Sequence, residues 1–351
     1  MASRVLLITP QFYGIEKILK LVLEGSGYEV VWIENKILPF DYHGTNSKFK
    51  LLRRIYCFFF SPSYKYLKRE MRKIEDQKFD ILFAINAYII CPYLFRKLRS
   101  KNEDIFSVLY LWDSFSMYNW SDEIIFFNKV YSFDPEDCIR HKIAYRPVFY
   151  IQGSHKTSTR TEYDLFFVGK FSPERLSVLD KVLKSANESG LICFVKIWPA
   201  YRILFHNYYV YHILRTFNLK SSWVKKYLMN YEAVDGILER EYIIPKSIDY
   251  IDVQDRLLNS NVVLDFPYPN QTGYTHRLIE ALANGKKVIT TNARIRNESF
   301  FNPLQIHLVD CNNPEIDGRW IKERSEFPVD KCISELEISE WANSIINAEI
   351  A

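Results

Sequence analysis

The sequence predicts an α/β fold of two Rossmann-like, doubly wound domains facing an interdomain cleft. Three observations predict it. Apolar runs of strand length alternate with segments of helical periodicity, as in parallel sheets covered on both faces. That alternation stops in a polar segment near residues 150–162 and begins again after it. The length, 351 residues, suits two domains of ordinary size.

Residues 5–9 are a short apolar run, broken by Pro10-Gln11-Phe12-Tyr13-Gly14. Ile15, Ile18, Leu19, Leu21 and Val22 then recur at helical spacing, Gly25-Ser26-Gly27 ends that helix, and 28–33 is a second strand. Strands are expected at 81–85, 106–111 and 129–133, each after a helical or basic stretch. After the polar segment come a strand over 165–168, a turn at Gly169 and a helix over 173–186. Strands at 191–197, 261–266 and 287–290, with a helix over 275–283, complete the second sheet. The division is therefore 1–155, 156–335 and a C-terminal helix in 336–351, with no tandem repeat.

Composition excludes several classes. With 48% hydrophobic and 25% charged residues, and only 11 Gly and 14 Pro, the chain is neither disordered nor fibrous. Aromatic content is high at 16%, enough for large cores and for some apolar surface. The richest apolar run, Ile55-Tyr56-Cys57-Phe58-Phe59-Phe60, is far below the roughly 18 residues that span a bilayer. The six cysteines form no CxxC pair and no metal-ligand spacing, so reduced thiols and no metal site are expected. No leader peptide is recognisable before the first strand, which points to a cytoplasmic protein. A P-loop, a GxGxxG after the first strand, a GxSxG elbow and a HExxH are all absent.

The net charge of +4 conceals a segregation. Residues 48–73 hold nine Lys/Arg and one acid; 196–226 hold six Lys/Arg and none, which leaves −10 for the rest. Aromatic residues interleave with the cations from 196 to 231. An anionic membrane surface, a nucleic acid, or a solvated helix pair with a packed aromatic face each fits such segments.

The most informative stretch runs from Gln271 to Asn292: a strand end, a turn at Thr272-Gly273-Tyr274-Thr275, a helix from His276-Arg277 onward, a turn at Asn284-Gly285, and a strand. Amides from Gly273 to Thr275 at a helix start suit an anion, and Glu280, further along that helix, is placed to accept from a ribose diol. An ordinary helix–strand unit with a core-flanking Glu is the other reading. The stretch resembles group 1 GT-B glycosyltransferases of the retaining type, whose pattern is Glu-Gly-Phe-Gly-x-x-x-x-Glu-Ala, then a small residue, Gly and a strand. Thr272 stands where that pattern has its first Glu, the usual donor-sugar contact; Glu280 matches the second, the ribose ligand. The same run is similar to CgeB-like transferases of bacterial lipopolysaccharide or capsule synthesis. Tyr110-Leu111-Trp112-Asp113-Ser114, 129–134 and 146–150 are similar to the N-terminal halves of those proteins.

The resemblance implies a GT-B fold and glycosyl transfer from a nucleotide-sugar to a saccharide or lipid-linked saccharide, with no metal or other cofactor. It implies a donor site of Gly169, Lys170, Arg175, Thr272, Gly273, Tyr274, Thr275, His276, Arg277 and Glu280. Lys170, opening the second domain, is the first choice to offset charge on the leaving diphosphate, with a solvated turn lysine as the plainer reading. The acceptor is expected near Gln11, Tyr13, Asp113 and Ser114. Asp113 is the base if the reaction inverts and a positioning residue if it retains; helix capping is an equal reading for it, and the better one for Asp134, which precedes Pro135. A lipid-linked acceptor would place the protein on the inner face of the cytoplasmic membrane, docked through 48–73 and 196–227. A GT-B nucleotide-sugar epimerase, and a non-catalytic membrane- or RNA-binding protein, are the alternatives.

Overall fold

A computed structural model describes residues 2–36, 60–86, 92–152, 161–198, 213, 216, 240–244, 247–268 and 270–347. The chain divides into two compact units. Unit 1 holds Met1–Gln152, Asn270–His276 and Lys331–Ala351; unit 2 holds Gly153–Pro269 and Arg277–Asp330.

Unit 1 is built on a six-stranded parallel sheet in the order β2-β1-β3-β4-β5-β6. The strands are β1 (Arg4–Thr9), β2 (Glu29–Glu34), β3 (Ile81–Ile85), β4 (Phe106–Leu111), β5 (Lys129–Ser132) and the short β6 (Ala144–Tyr145). All six residues of β4 are buried, as continuous apolar runs in a sheet covered on both faces require. Helix α1 (Ile15–Gly25) begins after Gly14, whose φ of 86° favours glycine, and buries Ile15, Leu19 and Leu23. Ser61 caps α2 (Pro62–Lys73) by accepting from the Tyr64 amide, with Pro62 in the first turn. Helices α3 (Pro92–Lys101) and α4 (Pro135–His141) follow β3 and β5.

Unit 2 is a five-stranded parallel sheet, β11-β10-β9-β7-β8. Its strands are β7 (Tyr163–Lys170), β8 (Cys193–Trp198), β9 (Ser260–Asp265), β10 (Lys287–Thr290) and β11 (Ile306–Leu308). Helices α5 (Pro173–Glu188), α6 (Tyr250–Leu258), α7 (His276–Ala283, whose first residue belongs to unit 1) and the short α8 (Gly318–Lys322) accompany them. Leu165, Phe167, Leu179, Val182, Val262 and Leu264 are at the centre of its core.

The units depart from the sequence division in two places. The segment Asn270–His276, expected in the second domain, is part of unit 1, because Thr272 and His276 are bonded there. So is the C-terminal region: α9 (Lys331–Ser334) leads into α10 (Ile338–Ile346), whose Trp341 is fully buried. The Trp341 ring lies 4.7 Å from Tyr110 and 4.5 Å from Phe149, and its Nε1 donates to the Pro147 carbonyl at 3.0 Å. Strands β6 and β11, of two and three residues, are too short to leave a periodic signature in the sequence. Among the described residues, no helix is long and apolar enough to cross a membrane.

Candidate functional site

In each unit every strand is parallel, so the strand carboxyl ends collect on one edge, where ligands of doubly wound sheets bind. On unit 1's edge, Asn86 follows β3 with a left-handed backbone, φ 46°. Its amide nitrogen donates to the Tyr110 carbonyl at 3.0 Å, its Oδ1 accepts from the Trp112 amide at 3.1 Å, and its Nδ2 donates to Asp113 Oδ2 at 2.7 Å. The Asn86 carbonyl accepts from the side-chain amide of Asn35, which follows β2. One buried asparagine therefore fixes the end of β4 and holds the half-buried Asp113 carboxylate in place. Of the other residues expected near an acceptor, Gln11 is exposed and Tyr13 has a left-handed backbone, φ 54°. Ser114 departs from expectation: it is 1% exposed, and its hydroxyl is spent on Ser116 within its own turn.

Asp134, at the end of β5, is an N-cap as expected, but it is more than that. Its Oδ1 accepts from the amides of Glu136 at 3.1 Å and Asp137 at 3.3 Å, closing the first turn of α4. The same carboxylate accepts from the Thr272 amide at 2.7 Å, the Thr272 hydroxyl at 2.6 Å and the Gly273 amide at 3.4 Å. The turn expected to hold an anion does hold one, supplied by the protein itself. A Cβ on Gly273 would lie 2.5 Å from both the Phe133 carbonyl oxygen and its ring. Tyr274 is 1% exposed and packs in unit 1. His276, expected to touch phosphate, instead lies with its Nδ1 2.9 Å from the Phe149 carbonyl, between the rings of Phe149 and Phe12. A carbonyl only accepts, so Nδ1 carries the proton. Burial pushes the imidazole down to about 4. Thr272, Gly273, Tyr274 and His276 are thus committed within unit 1, contrary to a donor-contacting role; Thr275 is half-buried.

On unit 2's edge two arginines meet. Arg277 Nε donates to the Leu264 carbonyl at 3.0 Å and Nη1 to the Val168 carbonyl at 2.6 Å; Nη2 lies 3.5 Å from Asp265 Oδ1. Arg175 Nε donates to the Phe266 carbonyl at 2.8 Å and Nη1 to the Lys170 carbonyl at 2.6 Å. Both guanidiniums lie over the Phe167 ring, at 4.3 and 5.8 Å. Gly169 makes room for this, since a Cβ there would be 3.1 Å from Arg277 Nη1. Burial, then the Arg277 charge, pulls Arg175 down to about 9. The arginines tie together the ends of β7 and β9, while Lys170, at the tip of β7, keeps an exposed side chain. Glu280, 5% exposed on α7, accepts from the Tyr250 hydroxyl at 2.7 Å. Burial raises its carboxyl to about 7 against the lowering effect of that hydrogen bond.

Two parallel sheets, with a C-terminal helix returning to the first, make a fold shared with solved structures. The chain is similar to the apo form of a lipopolysaccharide outer core galactosyltransferase, WaaB: 14% identity, TM-score 0.51, 99% of each chain covered. It is similar to a UDP-forming α,α-trehalose-phosphate synthase from Burkholderia xenovorans, in complex with glucose-6-phosphate: 10% identity, TM-score 0.52, 99% of this chain and 100% of that one. The fold is GT-B. No family model and no curated protein matches the sequence.

Two contributors escaped the sequence reading. Asn86 follows the strand 81–85 directly, and a lone Asn ending an apolar strand was its only signal. Tyr250 sits on a nine-residue helix far from Glu280 in sequence. Most of the basic, aromatic segment 196–227 lies outside the described residues, as does 48–59. Among the described residues, no three His, Cys, Asp or Glu side chains are grouped as metal ligands.

Proposed function

We propose that this protein transfers a glycosyl group from a nucleotide-sugar to a saccharide or lipid-linked saccharide in bacterial surface polysaccharide synthesis. The observation that carries the reading is the carboxyl edge of unit 2. There Arg175 and Arg277 hold the strand ends, Arg277 beside the buried Asp265, with Lys170 exposed at the tip of β7 and the buried Glu280 on α7. An edge with surplus positive charge at low local dielectric favours a diphosphate. Lys170 moves to the leaving diphosphate, while the arginines hold the strand ends and supply field rather than direct reach. Glu280, ionised, accepts from the ribose diol through the oxygen not engaged by Tyr250. On unit 1, Asp113, oriented by Asn86, is the carboxylate for the acceptor hydroxyl. The retained set is thus Gly169, Lys170, Arg175, Arg277 and Glu280 for the donor, and Asp113 for the acceptor.

The test is thermal denaturation of the full chain with UDP-, GDP-, dTDP- and CMP-sugars. A ligand bound only by the folded state raises its stability, by about 2.7 kcal/mol at a hundred times Kd. One nucleotide series should raise Tm, and Glu280→Ala should abolish that rise without unfolding the protein. No shift with any series at millimolar concentration would overturn the donor reading. Turnover of the donor without any acceptor would replace transfer with epimerisation.

A further inference from the structure

Helix α7 carries a carboxyl group that folding alone does not call for. Glu280 is buried, and Arg277, one turn earlier, is turned to Asp265 at 3.5 Å rather than to it. A glutamine would fill that place without the cost of burying an ionisable group. The partner that Glu280 does have comes from another helix. On α6, Tyr250, Val253, Gln254 and Leu257 recur at helical spacing and are buried or half-buried, while Ile251, Asp252 and Asp255 are exposed. Tyr250 donates its hydroxyl to Glu280 Oε1 at 2.7 Å. Gln254, one turn on and 5% exposed, approaches the same carboxyl and favours its charge, although its Nε2 stays outside hydrogen-bond geometry among the described residues. At the far end of α6, the Leu258 carbonyl accepts from Lys286 Nζ at 2.6 Å, just beyond α7. The two helices are therefore tied at two places, which holds the Tyr250 hydroxyl where Glu280 meets it.

We propose that Tyr250 is the positioning residue of the donor site: it holds Glu280 as a carboxylate, engaged at Oε1 and open at Oε2 to the ribose diol, so that nucleotide binding expels a proton to solvent. The inference rests on the donor reading above and adds to it a residue and a proton linkage. Only an ionised carboxyl offers both oxygens as acceptors, one to Tyr250 and one to a diol. Burial raises the Glu280 carboxyl to about 7, with the Tyr250 hydrogen bond as the largest opposing influence, then Gln254 and the Arg277 charge. Arg277 is itself faced by Asp265 from β9. Burial, then the Glu280 charge, pushes the Tyr250 hydroxyl far up, so it stays a donor. Near neutrality the free protein therefore carries Glu280 partly protonated, and a bound diol draws it to the charged form.

Two measurements on the full chain, wild type and Tyr250→Phe, test it. The first needs no ligand: the Glu280 carboxyl is titrated by carbon-13 NMR, its signal assigned by its loss in Glu280→Gln. Removing the Tyr250 hydroxyl should raise the midpoint by about one pH unit, because a charge-assisted bond to the ionised form is lost. The second is calorimetric titration with UDP, GDP, dTDP and CMP in buffers of different ionisation enthalpy. Wild type should release about one Glu280-dependent proton at pH 6 and none at pH 9, and Glu280→Gln should remove that release. Tyr250→Phe should bind about tenfold more weakly than wild type at pH 6 and within about twofold of it at pH 9. If Tyr250→Phe fails to fold, Gln254→Leu should move the midpoint the same way by less, and the wild-type proton release remains to be read. An unmoved midpoint, binding weakened equally at both pH values, or no Glu280-dependent proton release would overturn the proposal. A raised midpoint with none of the four nucleotides bound would instead overturn the donor reading, and with it the role of Tyr250 at that site.

Discussion

Asp134 and Thr272, 138 positions apart in sequence, are joined by two hydrogen bonds, from the threonine amide at 2.7 Å and its hydroxyl at 2.6 Å. The carboxylate that starts α4 is also the anchor of the turn that leads into α7. Asp134→Ala removes a helix cap and a set of charge-assisted bonds at once and should cost about 3 kcal/mol. Asp134→Asn keeps one acceptor oxygen and should cost less. Thr272→Val deletes only the hydroxyl bond. A double-mutant cycle by chemical denaturation should return a coupling of about 0.5–3 kcal/mol; simple additivity would show that the bond carries no stability.

Gly273 is required for space. A methyl group there would meet the Phe133 ring and carbonyl at 2.5 Å, and the carbonyl cannot move without shifting the backbone just after β5. Gly273→Ala should destabilise unit 1 by about 1–3 kcal/mol. It should also loosen the Thr272 amide, seen as faster hydrogen exchange there while the strands of unit 2 stay protected.

Two buried groups give pH dependences of opposite sign. Glu280, raised from 4.5 to about 7, holds its proton more tightly when folded, so stability falls as pH rises between those values, by ~3 kcal/mol in full. His276, lowered from 6.5 to about 4, holds its proton less tightly when folded, so stability falls as pH falls through that range. Over most of their shared window the two slopes oppose each other. Glu280→Gln should leave a chain that loses stability toward acid, and His276→Asn one that loses it toward neutrality. Tm against pH checks both, and parallel profiles for the two variants would refute the assignment.

Asn86 acts on Asp113 and the Trp112 amide together. Asn86→Ala should lower kcat roughly tenfold through a carboxylate less well held, with donor affinity unchanged. Alanine at φ 46° adds about 1 kcal/mol of backbone strain, whereas Asn86→Gly relieves the strain but restores neither bond. If the Gly variant recovers full activity, Asn86 serves the backbone and not Asp113.

The sequence by itself determined most of the fold. Strands such as Ile81–Ile85 and Phe106–Leu111 are continuous apolar runs, and the Asn284-Gly285 turn was legible because only glycine accepts its φ of 63° so close to the Phe327 carbonyl. Local periodicity and turn chemistry are properties of neighbouring residues, so one dimension suffices to show them. The resemblance led rightly to the GT-B fold; the roles it implies for Glu280, Lys170 and Asp113 are part of the proposed function. What those side chains touch was decided only by tertiary structure. Thr272 matched a donor-contact position in the pattern, but the carboxylate it meets comes from Asp134, brought there by the return of β5. Arg175 and Arg277 read as phosphate ligands, yet each donates to two carbonyls at the ends of β7 and β9. Burial and partner identity depend on contacts between residues distant in sequence, from 27 positions for Asn86 and Asp113 to 138 for Asp134 and Thr272, and no local pattern encodes which buried polar group will satisfy which.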